Sequence, residues 1–172
     1  MIRAARYGLP LMLAVIGGHP SRFAPYVELY ERALEQNGHQ PLPIGMHSLG
    51  FVAKTDEEAL QTQWPHWEEQ LDAASRERGW RHPTYDQFQS ETANGSLYVG
   101  SPETVATRVA ASIRALGLSR FDLAYAVGRV PHRHRMATIE LYGHEVIPRV
   151  RELLAAASND DNALDLDLET KN

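Results

Sequence analysis

The stretch 98–127 constrains the fold most, because it marks both ends of a helix. Ser101 is a favourable N-cap, and Pro102 suits the first helical position because its missing N–H would be unpaired there. Gly117 supplies the left-handed residue that ends many helices. Between these signals the apolar residues recur every three or four positions, at Val105, Val109, Ile113 and Leu116. The sequence therefore predicts a helix with one buried side.

Two apolar runs predict strands. Residues 121–127 follow the helix after a short turn and are apolar apart from Asp122. The run 9–16 has the same character and ends at Gly17 and Gly18. Neither run alternates clearly, which predicts strands buried on both faces. Helices joined to such strands by short loops build parallel sheets and barrels, so the fold class is α/β.

The rest of the chain continues this alternation. The predicted elements are a helix ending at residue 7, the strand 9–16, a helix over 23–34, a strand over 42–53, a helix from Thr55 to Leu71, the helix and strand of 98–127, and a helix over 132–154 kinked at Pro148. Residues 79–97 lack sustained periodicity and predict an irregular insertion, which in a barrel lies on the catalytic face. Three strands are too few to close an eight-stranded barrel, so the pattern indicates part of one.

Composition excludes several classes of function. The 172-residue chain has a net charge of −5, of which −4 falls in residues 158–172, and this segment predicts a disordered acidic tail. The nearly neutral remainder lacks the clustered Lys and Arg of a nucleic-acid surface. The chain has no cysteine, which excludes disulfides and thiolate metal sites. The run 9–16 is far shorter than the roughly 20 residues that span a membrane, and we expect a cytoplasmic protein without a membrane partner.

The histidines do not predict a metal site. His132 and His134 are two positions apart and would point in nearly opposite directions on a helix, while Arg133 and Arg135 would repel a cation. His47 lies within a predicted strand between apolar neighbours. It is either a hydrogen-bonded core histidine or a catalytic one, and nothing in the sequence identifies an acid that would orient it.

Two further places are candidates for a site. Gly17 and Gly18 follow a predicted strand, where glycine would let a flat cofactor or substrate approach the backbone, although a plain tight turn is the alternative. In the insertion, a lid over a reacting centre would use Trp80, Arg81, His82 and Tyr85. In that interpretation Arg81 meets an anionic group and His82 is catalytic, whereas the alternative is a packed surface loop.

Four segments, in this order, resemble the C-terminal part of the luciferase-like flavin-dependent monooxygenases. They are ARYGLPLMLAVIGG (5–18), GFVAKTDEEA (50–59), YVGSPETVA (98–106) and ELYGHEVIPRVREL (140–153). The resemblance implies a partial TIM (β/α)8 barrel over residues 1–157, with the three strands as its sixth, seventh and eighth. It also implies reduced FMN or the deazaflavin F420 as cofactor, a small-molecule substrate, and a mobile active-site loop at residues 79–97.

The sequence also departs from the family pattern. In the family, a Gly-Gly-Thr-Pro-Glu-Ser-like stretch that binds the flavin phosphate precedes the helix that is predicted here to end at residue 7, and this sequence starts after that stretch. Strand edges beside 9–16 and 121–127 would then be exposed, which implies a homo-oligomer or a complementary barrel half as partner. Two functions follow as hypotheses: a flavin-dependent oxidoreductase, or a non-catalytic truncated paralogue that acts as a dimerising structural or interaction module.

Overall fold

Helices and strands alternate through the computed structural model, which describes residues 1–79, 81–125 and 128–157. The elements are α1 (Ile2–Arg6), β1 (Leu11–Ala14), a 3-10 turn (Pro20–Phe23), α2 (Ala24–Gln36), β2 (Ile44–Val52), α3 (Asp56–Arg78), α4 (Tyr85–Asn94), β3 (Tyr98–Gly100), α5 (Pro102–Leu116), β4 (Arg120–Ala124), α6 (His132–Leu141) and a π turn (Tyr142–Val146). Helical backbone continues after the π turn to residue 157. The predicted tail 158–172, Trp80 and residues 126–127 lie outside the described ranges.

The four strands form a parallel sheet with β2 at its centre. β1 pairs with Ile44–His47, β4 pairs with Gly45–Leu49, and β3 pairs with Gly50–Val52 at the carboxyl end of β2. Within the described residues, β1 and β4 pair only with β2. Each of these two strands therefore presents an edge without a neighbouring strand.

Helices cover one face of this sheet. Leu11, Leu13, Ile44 and Met46 alternate with their neighbours along β1 and β2, and they are buried in one core with residues of α2 and α5. The helix residues in that core include Val27, Tyr30, Leu34, Val105, Val109 and Leu116. Helix α5 is therefore buried on one side, as its spacing of apolar residues predicts, because this apolar stripe packs on the sheet.

The opposite face, which we call the open face, is uncovered in the described structure except at the carboxyl end of β2, where Leu49 packs against a second core that includes Phe51, Trp67 and Phe88. Its residues follow from strand register and alternation, and they are Met12, Ala14, Gly45, His47, Leu49, Arg120, Asp122 and Ala124. Met12 is 44% exposed, and Ile16, just beyond β1, is 66% exposed. The prediction that 9–16 and 121–127 form strands buried on both faces is therefore wrong. A continuous apolar run does not reveal whether one or both of its faces are packed.

The ends of α3 and α5 are set by the predicted residues. The Ser101 hydroxyl accepts a hydrogen bond from the Thr104 N–H, and Gly117 ends α5 at a φ of 60°. Thr55 caps α3 by accepting from the Glu58 N–H. Near Pro148 the last helix widens into the π turn, because proline has no N–H to donate to the His144 carbonyl.

The insertion is more regular than predicted. Residues 85–94 form helix α4, which begins with a reciprocal capping box between Thr84 and Gln87. Phe88 is fully buried, with its ring centroid 5.5 Å from that of Trp64 and 5.4 Å from that of Trp67. The prediction of an irregular segment is wrong because packing against α3 stabilises a helix too short to show its periodicity in sequence.

Candidate functional site

Ligands of parallel sheets bind beyond the carboxyl ends of the strands, and here three strands end on the same side. Gly17 and Gly18 follow β1, Lys54 follows β2, and Tyr125 follows β4. The open face adjoins these ends. Of the predicted site residues, His47 lies within β2, and Gly17 and Gly18 follow the neighbouring strand β1.

A row of three residues crosses the open face at His47. Ala14 on β1, His47 on β2 and Asp122 on β4 are register partners, so they occupy neighbouring strands about 4.8 Å apart. The Asp122 carboxylate accepts a hydrogen bond of 2.8 Å from the Nε of Arg120, two residues earlier on the same strand. The sheet thus places next to His47 the acid that the sequence alone did not identify.

The charge of Asp122 reaches beyond the open face. Burial, together with the negative charge of Asp122, raises the pKa of Tyr142 to about 12. Both effects keep the Tyr142 phenol protonated. His47 and Asp122 lie side by side on the open face, and each is only partly buried.

The two glycines after β1 differ in their surroundings. Gly18 has a φ of 74°, and its N–H is 3.2 Å from each carboxylate oxygen of Glu91. A Cβ added at Gly17 would meet nothing within 4 Å. Gly17 therefore leaves room for a flat ligand beside the backbone, whereas the amide of Gly18 is already engaged.

Glu91 and Arg108 hold the segment between α4 and β3. The Glu91 carboxylate also accepts a hydrogen bond of 3.3 Å from the Ser96 N–H. The guanidinium of Arg108 donates to the carbonyls of Leu97 and Gly95, each at 2.7 Å. The insertion is thereby fixed against the turn after β1. Neither residue was predicted, because both act through contacts distant in sequence that leave no local pattern.

His82 and Arg81 belong to the insertion rather than to the sheet. His82 Nδ1 lies 2.5 Å from an oxygen of Asp72, which also pairs with Arg76. The hydrogen bond from Arg76, followed by that from His82, lowers the pKa of the Asp72 carboxyl. Asp72 is about 24 Å along α3 from its first residue, so His82 contacts the distal half of that helix. Arg81 is exposed in the loop between α3 and α4.

The proposed lid residues have separate environments. Tyr85 packs edge-on against Trp64 with ring centroids 5.1 Å apart. Trp80 lies outside the described residues.

Among the described residues, no group of three or more potential ligands is arranged to hold a metal ion. No helix in the same ranges combines the length and the apolar character needed to cross a membrane.

The sequence matches the model of a known protein family over most of its length. The family model described as luciferase-like monooxygenase matches residues 1–120. The chain belongs to the luciferase-like monooxygenase family. The predicted family is thereby confirmed, and three of the four segments, 5–18, 50–59 and 98–106, lie within the matched range.

Solved structures of luciferase-like proteins share this arrangement of helices and parallel strands. The chain is similar to the monooxygenase RslO1 from Streptomyces bottropensis, with 22% identity and a TM-score of 0.67. It is similar to the oxygenating constituent of 3,6-diketocamphane monooxygenase from Pseudomonas putida, a type II Baeyer-Villiger monooxygenase in complex with FMN, with 19% identity and a TM-score of 0.65. A third is the coenzyme F420 dependent tetrahydromethanopterin reductase from Methanopyrus kandleri, with 17% identity and a TM-score of 0.54.

The family member described here aligns with only part of each of these proteins. The alignments cover 86%, 87% and 81% of this chain but 44%, 45% and 45% of the other chains. It therefore spans less than half the length of these structures. A comparison with curated sequences gives no match. At these identities the likeness concerns the fold, a mixed α/β structure with a parallel sheet.

Proposed function

We propose that this chain supplies the sixth, seventh and eighth strands of a luciferase-like (β/α)8 barrel and takes part in a flavin-dependent oxidoreductase reaction on a small molecule. The open face of the sheet is the observation that carries this proposal. In a barrel the helices cover the outer face of the strands and the inner face lines the interior. β1, β4 and the first half of β2 are covered by helices on one face only, as strands of such a barrel would be. The carboxyl end of β2 also packs against α3 and α4, through Leu49 and Phe51.

The open face fits the ring system of a flavin. Ala14 and Ala124 are small, Met12 and Leu49 are apolar, and Gly17 leaves space at the end of β1. Flat cofactors bind in largely apolar sites with a few fixed polar groups. Reduced FMN or F420 bound there would supply electrons to oxygen or a hydride to the substrate.

The backbone of Gly18 is not free to bind the phosphate of such a cofactor, because its amide already donates to the Glu91 carboxylate. In the proposal, Gly17 and Gly18 therefore border the ring rather than the phosphate. Arg81 is exposed and has no ion pair among the described residues, so it is the proposed partner of an anionic group.

His47 is the proposed proton donor or acceptor of the site. It lies on the open face next to Asp122, whose carboxylate is held by Arg120. A carboxylate beside an imidazole stabilises the protonated ring and fixes its orientation. His82 is bonded to Asp72 on α3, so proton transfer is assigned to His47.

A flavin titration tests the proposal. FMN, riboflavin and F420 would each be added to the purified chain while cofactor fluorescence is recorded. We expect saturable quenching in the micromolar range, weakened by replacing His47 with alanine and unchanged by the same replacement of the exposed His132. Absence of binding by every flavin would favour the alternative, a non-catalytic paralogue acting as a dimerising module.

The partner is part of the same proposal. The unpaired edges of β1 and β4 and the exposed Met12 and Ile16 require a cover, which further barrel strands or a second copy of the chain would provide. We therefore propose a homo-oligomer or a complementary barrel half. We place this activity in the cytoplasm, since a chain without cysteine gains nothing from an oxidising compartment.

A further inference from the structure

A cavity lies away from the open face, between the turn after β1, the end of α4 and the outer side of α5. Its volume is about 230 Å³, and no residue of β1, β2 or β4 contributes to its lining. Small residues of α5, Ala111 and Ala115, form part of one wall. Among the polar residues of its lining, His19, Asn94 and Arg108 come from three different parts of the fold.

Arg108 is a cation without a carboxylate partner in this cavity. Its guanidinium donates to two carbonyl oxygens and lies 4.8 Å from the centre of the Tyr98 ring. No carboxylate of the described residues lies within ion-pair distance of it. Burial lowers the pKa of Arg108, but a guanidinium remains charged at neutral pH. A guanidinium has five N–H donors, and two hydrogen bonds to carbonyls leave donors free.

The nearest negative group is already engaged. Glu91 acts on Arg108 electrostatically, but its carboxylate accepts hydrogen bonds from the amides of Gly18 and Ser96. The charge of Arg108 is thus compensated only in part. A partly desolvated, undercompensated guanidinium strongly favours an oxyanion, which accepts charge-assisted hydrogen bonds.

His19 and Asn94 add donors from other directions. The Nδ1 of His19 accepts from the Ser21 amide at 3.2 Å, so the proton of the neutral ring lies on Nε2. The Asn94 side chain carries an amide N–H₂ group at the end of α4. A tetrahedral anion accepts hydrogen bonds from several directions at once, which suits donors on three elements better than a single planar carboxylate would.

We propose that this cavity binds phosphate, either as the free ion or as the phosphate group of a small molecule. The Arg108 guanidinium is the principal ligand, with the His19 ring and the Asn94 amide as additional donors. The site shares no residue with the flavin site proposed on the open face. Its occupation would link the turn that follows β1 to the insertion, because the lining residues belong to both.

Isothermal titration of the chain with inorganic phosphate tests the site, with chloride at equal ionic strength as the reference. We expect saturable binding that the cavity-filling variant Ala115→Leu weakens about tenfold or more, with Arg108 and its two carbonyl bonds kept. The matched control is Ala155→Leu, at an exposed position of the last helix. The variant Arg108→Lys keeps the charge and is expected to bind more weakly, since it lacks the fork of donors.

The outcomes separate this site from the flavin site. Phosphate binding that Ala115→Leu leaves unchanged, or binding that chloride reproduces, would overturn the proposal. FMN and riboflavin distinguish the sources of the anion: if Ala115→Leu weakens FMN but not riboflavin, the ligand is the cofactor's phosphate, and if it weakens only inorganic phosphate, the ligand is the free ion. If no flavin binds, the proposed flavin site fails, and the phosphate titration still tests this cavity on its own.

Discussion

Both carboxylate oxygens of Glu91 lie 3.2 Å from the amide nitrogen of Gly18, which is 73 residues away in the sequence. The contact joins the insertion helix α4 to the turn that follows β1. It orders the turn next to the proposed flavin site without using a residue of the open face. Glu91 is therefore a positioning residue whose effect should be measurable first as stability.

Replacement of Glu91 by alanine is expected to lower the free energy of unfolding by about 1–3 kcal/mol, because the amides of Gly18 and Ser96 lose a charged acceptor. Urea denaturation followed by tryptophan fluorescence measures the change. Glu77→Ala is the control, since Glu77 is exposed at the end of α3 and should change stability by less than about 0.5 kcal/mol. Equal effects of the two substitutions would show that the contact does not stabilise the turn.

Gly50 is expected to tolerate no side chain, because β3 and β4 both approach β2 at this point. A Cβ there would collide with the carbonyl oxygen of Tyr98 and with the side chain of Leu123. Gly50→Ala should destabilise the protein by about 1–3 kcal/mol or more, as overpacking of a core does. At Gly143 the same substitution meets nothing within 4 Å and should be neutral or stabilising by up to about 1 kcal/mol. Thermal unfolding of the two variants compares them directly, and a well-tolerated Gly50→Ala would contradict this packing.

Asp56 should make stability depend on pH through the start of α5. One of its oxygens accepts from the Ser101 N–H at 2.6 Å, and the other accepts from the Thr104 hydroxyl at 3.0 Å. Partial burial opposes ionisation, but these hydrogen bonds prevail and lower the pKa of Asp56 below its ordinary value of 3.8. A lowered carboxyl pKa contributes stability above the unfolded value, and that contribution is lost as the pH falls through the folded value.

Asp56→Asn is therefore expected to destabilise the chain at pH 7 and to do so less at a pH below the ordinary value of 3.8. Urea unfolding of both proteins at the two pH values gives the difference. Asp86→Asn serves for comparison, because Asp86 is exposed in the first turn of α4 and, among the described residues, forms no hydrogen bond or ion pair with another element. A destabilisation by Asp56→Asn that is the same at both pH values would rule out this role.

Local signals in the sequence predicted where helices and strands form, but they did not predict which faces of those elements are buried. The residues at the ends of α5 act within a few positions of one another, so Ser101, Pro102 and Gly117 could be interpreted directly. That β1 and β4 are buried on one face only could not be predicted, because burial depends on which other elements pack against these strands. For the same reason Asp122 was not connected with His47: strand register brings together residues 75 positions apart, as it does in β2 and β4. The family resemblance came from several short segments in order, and each of them alone carries little information.

The open face gives a test of the proposed partner. Met12 is 44% exposed on the open face, and Tyr26 is 46% exposed on α2, whose buried residues pack on the opposite face of the sheet. If barrel strands or a second copy cover the open face, a charge at Met12 would be buried without a partner, whereas a charge at Tyr26 would remain in water. We expect Met12→Lys to shift the protein to a smaller species in size-exclusion chromatography with light scattering, and Tyr26→Lys to leave the mass unchanged. A wild-type chain that is already monomeric would contradict the homo-oligomer, and capture of a complementary barrel half by wild type but not by Met12→Lys would identify the other partner.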